Sequence, residues 1–192
     1  MDEPLSTPAP VDAPDGEAII TLRTPVEFAG ETYRTMRLSE PTAGAWEATD
    51  GLDGLEFSMR GLSIASGLPY LAIGLIRVRD IRDGIAALGR MYLDVDEVKP
   101  GPEESATERT ITLRKPVVLG ETYTELRLRE PTATEWRAFD HLSGAAADMK
   151  AVATITGLPD VVVRQIGIRD LRTAARWLGR FFDNAPATGA AS

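Results

Sequence analysis

The sequence predicts an α+β protein built from two copies of one small module, each a β-hairpin followed by three or four short helices. One observation is an internal repeat: residues 20–26, ITLRTPV, return as residues 111–117, ITLRKPV. Further landmarks recur at a shift of 90 residues, so that GETY at 30–33 matches GETY at 120–123. The other observation is that an alternating apolar pattern precedes a helical one in each copy. A period this long exceeds a solenoid unit, so each copy should fold as a whole module.

The hairpin is predicted from the opening stretch of each copy. Residues 122–128 alternate in polarity, with Leu126 and Leu128 on one face, as in a half-buried strand. Gly120 separates this run from the apolar run before it and indicates the turn. Pro25 and Pro116 cannot donate a ladder hydrogen bond, so the first strand of each copy should be bulged, or lie at an edge, at these prolines.

A strand-to-helix corner follows each hairpin, with the sequence Glu-Pro-Thr at 40–42 and again at 130–132. Thr132 with Glu135 three residues later predicts a capping box at the start of a short helix. In the first copy Thr42 is followed by Ala45 at that position, which predicts a weaker helix start.

The remaining helices are marked by their ends. Gly157 is the expected left-handed cap of a second helix, and Pro159 should open a third, short one. Asp170 is the expected cap of the last helix, as Asp80 is in the first copy. The last helix carries an apolar stripe: Leu171, Ala174, Ala175, Leu178, Phe181 and Phe182.

Composition divides the chain into five segments. Acidic residues concentrate in residues 1–17, a Pro-rich tail, and in residues 94–108, a linker, and both segments are predicted to be disordered. The modules then span residues 18–93 and 109–183, and residues 184–192 form a flexible end. The net charge of −8 therefore comes from the tail and the linker, while the modules are close to neutral.

The composition also excludes several classes of protein. The chain has no cysteine, so disulfides and thiolate metal sites are excluded and a reducing compartment is favoured. No signal peptide and no membrane span is recognisable, so we expect a cytoplasmic protein. No basic surface pattern indicates nucleic-acid binding.

The candidate catalytic residues are weak. His141 is the only histidine, the first copy has Gly51 there, and no nucleophile lies near it in sequence, so a surface helix residue is the favoured interpretation. The recurring carboxylates and arginines could form a site, but helix caps beside solvated bases explain the same residues and are the favoured interpretation: Asp80, Asp170, Arg79, Arg82, Arg169 and Arg172. Since no phosphate loop and no metal-ligand spacing is present either, we predict no enzyme, no metal and no cofactor.

The aromatic residues are better functional candidates. Trp46 and Trp136, early in the corner helices, are predicted core residues, with a binding anchor as the alternative. The end of the last helix carries a large apolar surface that either fills the core or receives an apolar segment of another protein. The candidate partner-binding residues are Trp177, Phe181 and Phe182, with their first-copy counterparts Met91 and Tyr92.

Several ordered motifs of the second copy carry a family resemblance. They are LREPT at residues 128–132, TGLP at 156–159, IGIRDL at 166–171 and LGRFF at 178–182. In this order and spacing the chain resembles the tail assembly chaperones of Mu-like and related contractile-tailed phages. The resemblance covers residues 111–182 and again 20–92, where Ser39 replaces the arginine of LREPT.

The resemblance implies a function. Such chaperones work in the bacterial host cytoplasm during virion assembly and hold the tape measure protein soluble while tail tube subunits assemble around it. Other tail proteins are further partners, and no catalytic residue, metal or cofactor is implied. Members are typically one module long, so a tandem duplication, of phage or prophage origin, leaves oligomerisation open. The alternative is a duplicated non-enzymatic protein-interaction adapter or a structural virion component.

Overall fold

The computed structural model describes residues 11–13, 17–92 and 106–183. By its contacts the described chain divides into two compact units. Unit 1 contains residues 11–13, 17–41 and 51–92, and unit 2 contains residues 42–50 and 106–183. The units therefore follow the repeat except at residues 42–50, which come from the first copy but belong to unit 2.

The order of strands and helices confirms the predicted α+β class, with a hairpin ahead of several short helices in each copy. The first copy contains β1 (Val11–Ala13), β2 (Glu17–Phe28), β3 (Glu31–Leu38), α1 (Ala43–Trp46), a 3₁₀ turn (Glu47–Thr49), α2 (Gly54–Ser66), α3 (Tyr70–Ile73) and α4 (Val78–Tyr92). The second copy contains β4 (Glu108–Leu119), β5 (Glu121–Arg129), α5 (Ala133–Trp136), α6 (Gly144–Thr156), α7 (Asp160–Val163) and α8 (Ile168–Asp183).

The two sheets are antiparallel, with strand order β1-β2-β3 in unit 1 and β4-β5 in unit 2. β1 pairs with β2 through Val11 opposite Ile19 and Ala13 opposite Glu17. These three residues lie in the tail that was predicted to be disordered, and at this point the structure differs from the prediction. A three-residue strand held by main-chain pairing is too short to give a recognisable sequence pattern. The rest of the predicted tail, most of the linker 94–108 and residues 184–192 lie outside the described residues.

Both hairpins carry a bulge at the predicted proline. On β2 the register passes from Thr21 opposite Thr35 to Val26 opposite Tyr33, so Pro25 lies in the irregular stretch. On β4 the same shift falls between Thr112 and Val117 and includes Pro116. The prediction of a bulge is confirmed, and the reason is that proline has no N–H to donate to a regular ladder.

Each hairpin packs one face against helices of its own unit. In unit 1 the fully buried side chains include Met36 and Leu38 of β3 and Leu62 of α2. In unit 2 Leu126 of β5 and Val152 of α6 fill matching positions in the repeat. The alternating pattern of the second strand thus correctly predicted which face is buried.

The helix ends follow the sequence signals closely. Thr132 and Glu135 form the predicted capping box, with the Thr132 Oγ1 accepting from the Glu135 N–H at 3.3 Å and the Thr132 N–H donating to Glu135 at 2.9 Å. Hydrogen bonds to the Glu135 carboxylate from the Arg129 guanidinium and from the N–H and hydroxyl of Thr132 lower the pKa of Glu135 to about 2. Gly157 ends α6 with a φ of 71°, the predicted left-handed cap. Pro159 directly precedes α7.

No helix in the described parts of the chain is long and apolar enough to cross a bilayer.

Candidate interaction site

The aromatic end of α8 is partly a core feature. Trp177 is buried, and its ring meets that of Phe181 edge-on with the centroids 5.1 Å apart. The Arg180 guanidinium lies over both rings, 4.2 Å from the Trp177 centroid and 4.7 Å from that of Phe181. Phe181 itself keeps part of its side chain in solvent. Of these two candidate partner-binding residues, Phe181 is therefore the one that another protein can reach.

The other candidate partner-binding residues are less fully described. Met91 is half-buried near the end of α4, in unit 1. Tyr92 and Phe182 lie within α4 and α8, but their side chains are outside the described parts of the structure. The assignment of this set to partner binding stays a prediction.

The recurring carboxylates, Asp80 and Asp170, are buried, and each connects a helix to a strand by hydrogen bonds. Asp80 accepts from the Arg23 N–H at 3.1 Å and pairs with its guanidinium, and Asp170 accepts from the Arg114 N–H at 2.9 Å. Each accepting carboxylate faces the bulge of its hairpin, where the irregular register releases a backbone N–H from the ladder. Because a buried N–H needs an acceptor, the carboxylate stabilises the bulge.

The predicted capping role of Asp80 and Asp170 is therefore wrong. Each lies in the first turn of its helix, two residues after the helix begins, and not at the cap position. Their ion-pair partners are strand arginines, Arg23 and Arg114, and not the neighbouring arginines of the helix. Sequence reasoning missed this because the partners lie more than fifty residues away, although all four residues recur in the repeat.

His141 lies exposed in the turn before α6, with its Nδ1 3.7 Å from a carboxylate oxygen of Asp140. Among the described residues no group of three or more His, Asp and Glu side chains is placed to hold a metal ion.

The feature that sequence reasoning missed altogether is the place of residues 42–50, the first corner segment. It contains α1 and the 3₁₀ turn, and it packs within unit 2. The Ala43 N–H donates to the Ile166 carbonyl at 2.8 Å and the Gly44 N–H donates to the Arg164 carbonyl at 2.9 Å. Ala43, Trp46 and Thr49 are buried there. The segment thus contributes backbone hydrogen bonds as well as apolar contacts to the second copy.

The end of the first corner segment caps a helix of the second copy. Asp50 accepts from the N–H groups of Ala145 and Ala146, both at 2.9 Å, at the start of α6. A carboxylate at a helix N-terminus satisfies free N–H groups and opposes the positive end of the helix dipole. Gly144 has a φ of 67°, and a Cβ there would lie 2.3 Å from the Asp50 carboxylate, so only glycine fits this position.

Further charged residues belong to this contact. Glu47 pairs with Arg164, which raises the pKa of the Arg164 guanidinium. Burial raises the pKa of Asp148 on α6 to about 6; the negative charge of Asp50 adds to this shift, whereas Arg172 opposes it. The first corner segment therefore binds the second copy within unit 2 through a cap, an ion pair, backbone hydrogen bonds and a buried tryptophan.

No signal within one copy could have located this contact. The burial of Trp46 was correctly predicted, since a large aromatic residue early in an apolar helix usually lies in a core. Which core it enters depends on how the chain runs between the copies, and a repeat does not encode that.

Comparison with known proteins gives one finding. Residues 110–183 match the family model described as phage tail assembly chaperone proteins, E, or 41 or 14. The match runs from β4 to the end of α8 and so covers nearly all of the second copy. No curated protein and no solved structure matches the chain. The second copy is thus similar to the phage tail assembly chaperones, and the match supports a role for this protein in phage tail assembly.

Proposed function

We propose that this protein is a phage tail assembly chaperone that binds the tape measure protein and keeps it soluble while the tail tube assembles. The observation that supports this most directly is the family match over residues 110–183, which covers the strands and helices of the second copy except for the first two residues of β4. Its place of action is the bacterial host cytoplasm. Further tail proteins are secondary partners in this proposal.

The first copy is, in the same proposal, a second chaperone-like module produced by tandem duplication. It has a hairpin followed by helices in the same order as the second copy. It also has the same hydrogen bond between a buried carboxylate and a bulged strand, with Asp80 and Arg23 in place of Asp170 and Arg114. A feature this specific, present twice, is expected if both copies perform one structural task.

The end of α8 is the proposed client-binding surface, together with its counterpart at the end of α4. Trp177 supports the surface from inside the core, while Phe181 presents a partly exposed ring. An apolar stretch of a helical client can cover such a ring and gain the free energy of burying it. No catalytic step is part of this proposal, and the buried carboxylates Asp80 and Asp170 have a structural role in it because both are bound to strand backbone.

Co-expression tests the proposal. The tape measure protein is expressed alone, with this chain, and with the Phe181→Ala variant, and its soluble fraction is measured. We expect the intact chain to raise that fraction clearly and Phe181→Ala to remove most of the gain while its melting temperature stays close to that of the parent. Val118→Ala, at an exposed apolar position on β4, is the matched control and should behave like the parent.

Two outcomes would count against the proposal. If the tape measure protein is equally insoluble with and without the chain, chaperone activity is excluded under these conditions. If the chain is instead found in purified phage particles, the alternative of a structural virion component is favoured.

A further inference from the structure

The second copy has its own corner segment, residues 132–140, which differs in burial from the first. It keeps Thr132, Trp136 and Asp140 at the positions of Thr42, Trp46 and Asp50. Within the described parts of the chain, however, its helix α5 buries none of its residues. Ala133 is exposed, whereas its counterpart Ala43 is fully buried. The second corner segment thus has the residues that bind in the first. Its Phe139 is buried in unit 2, but Ala133 and Trp136 lack the burial of their counterparts Ala43 and Trp46.

Unit 1 carries the counterpart of the surface on which the first corner segment packs. Val78 is 62% exposed, and its counterpart in unit 2, Ile168, is 1% exposed. Leu55 is 55% exposed, and its counterpart Ala145 is 5% exposed. We call Leu55, Val78 and the neighbouring exposed Leu75 the open face. These three large apolar side chains are exposed to solvent, whereas their counterparts in the second copy are buried or polar. Such a cluster indicates an interface.

The start of α2, beside the open face, has the same type of backbone conformation as the start of α6. Gly54 has a positive φ of 50°, as Gly144 does, and no atom of the described residues lies within 4 Å of where its Cβ would stand. Asp53, the cap residue of α2, makes no side-chain cap hydrogen bond in the described structure. The position that Asp50 fills beside Gly144 is therefore open beside Gly54.

The position of a glycine at this contact is also consistent with binding of the second corner segment to unit 1. In unit 2 Gly44 lies against Arg164, and a Cβ on Gly44 would be 3.0 Å from the Arg164 Cβ. In the other copy these two positions hold Thr134 and Gly74. The side chain is thus on the corner segment and the glycine is on the receiving surface, directly after α3, so one of the two facing positions is glycine in each case.

We propose that the open face of unit 1 binds the second corner segment of another copy of this chain. By analogy with unit 2, the N–H groups of Ala133 and Thr134 then donate to the carbonyls of Ile76 and Gly74. The Asp140 carboxylate accepts from the start of α2. The occupant is a second copy of this chain because the chain has two corner segments and two receiving surfaces. In the described structure only the first corner segment is bound to such a surface. The inference does not depend on the identity of the client.

One charged substitution on each side tests the contact. Val78→Asp places a charge on the open face, and Ala133→Glu places one on the second corner segment; both positions are exposed, so folding should be kept. We expect sedimentation equilibrium to show the parent as an assembly heavier than the 20.8 kDa chain. Each variant should weaken self-association by about tenfold or more, since burying an unpaired charge is costly.

The matched controls use positions that stay exposed where the contact is made. Leu71→Asp changes a residue that is 67% exposed, and its counterpart Val161 remains 52% exposed although unit 2 binds the first corner segment. Ala138→Glu is the corresponding control on the second corner segment, since its counterpart Ala48 is exposed as well. Both controls should associate like the parent.

Mixing the two interface variants gives the decisive result. The Val78→Asp chain keeps an intact corner segment and the Ala133→Glu chain keeps an intact open face. The mixture should therefore associate at concentrations where each variant alone is monomeric. A parent that is monomeric at all concentrations, variants that associate like the parent, or a mixture that stays monomeric would each overturn the proposal.

A disulfide trap locates the contact directly, because the chain has no cysteine. A Gly74→Cys chain is mixed under oxidising conditions with a Thr134→Cys chain that carries a tag to distinguish its mass. The analogous Cβ atoms in unit 2 would be within disulfide reach. We expect a mixed dimer within minutes, and Ala138→Cys in place of Thr134→Cys should form much less of it. Equal yields from the two pairs would rule out the proposed geometry.

Discussion

Trp46 and Trp136 occupy the same position in the repeat, each at the end of a four-residue helix that follows an identical Glu-Pro-Thr corner. Trp46 is buried in unit 2 and lies beside backbone hydrogen bonds to Ile166 and Arg164. Trp136 stays partly exposed and meets Phe139 edge-on, with the ring centroids 4.9 Å apart. Two nearly equivalent segments thus differ in the burial of this tryptophan, although the second segment also packs on α6 of its unit, where Phe139 is buried.

This difference shows that a local pattern reports what a segment is able to bury, but not what covers it. The helix start is even better formed in α5, where the capping box is complete, than in α1, where Thr42 alone accepts from Ala45. Helix-forming signals and burial are therefore separate properties of the corner segment. Substitutions that act on one copy more than on the other can test this separation.

The largest expected effect is that of Trp46→Ala. Removing a buried tryptophan should lower the free energy of unfolding by about 3–5 kcal/mol. Trp136→Ala should cost clearly less, about 1 kcal/mol, because the ring is only partly removed from water. Urea denaturation of the full chain, at concentrations low enough to exclude association, measures both. Equal losses for the two variants would mean that the corner segments are equivalent in solution.

The buried carboxylates should come next, and here the two copies should agree. Asp80→Ala and Asp170→Ala each leave a strand N–H without its acceptor and an arginine without its buried partner. We expect each to lower the free energy of unfolding by about 3 kcal/mol. Asp83→Asn is the matched control, since Asp83 pairs with Arg23 at 2.9 Å but is partly exposed, and it should cost no more than about 0.5 kcal/mol. A loss of similar size for Asp83→Asn would place the stabilisation in the surface ion pair instead.

The sequence predicted the parts of this fold that depend on neighbours along the chain. The bulge at Pro25 and Pro116, the capping box at Thr132 and the glycine cap at Gly157 are decided by a few consecutive residues. The acceptors of the Arg23 and Arg114 N–H groups could not be predicted, since a hydrogen bond between distant segments leaves no periodic signal. The position of the first corner segment was missed for the same reason. The candidate residues at the end of α8 were found by their apolar character, which could not distinguish buried Trp177 from half-exposed Phe181.

Asp50→Ala should have a smaller effect than either buried carboxylate. It removes the acceptor of two N–H groups at the start of α6, a capping interaction worth about 1–2 kcal/mol. Asp140→Ala is its counterpart in the second corner segment and should change the stability of the monomeric chain by less than about 0.5 kcal/mol. Thermal unfolding of both variants in parallel measures the difference. If Asp140→Ala destabilises the monomer as much as Asp50→Ala, the second segment already caps a helix within its own chain.

The smallest expected effect depends on pH and is confined to unit 2. Burial and the charge of Asp50 raise the pKa of Asp148 to about 6 in the folded protein, above the usual 3.8. Between these values the folded state holds more protons than the unfolded state, so this residue makes the free energy of unfolding fall as pH rises. The penalty is complete above pH 6 and absent well below 3.8.

Asp148→Asn should therefore stabilise the protein at pH 8, by about 1 kcal/mol once solvent screening of this half-buried group is allowed for, and should have little effect at pH 3. Glu108→Gln, which removes one exposed negative charge from the same unit, is the control and should show no such difference between the two pH values. The first copy has Ser58 at the position of Asp148, so no equivalent titration is expected in unit 1. Because Asp50 contributes to the raised pKa, the gain from Asp148→Asn should shrink in an Asp50→Ala background. An unchanged gain there would show that burial alone sets the pKa and that the corner segment's charge does not act on α6.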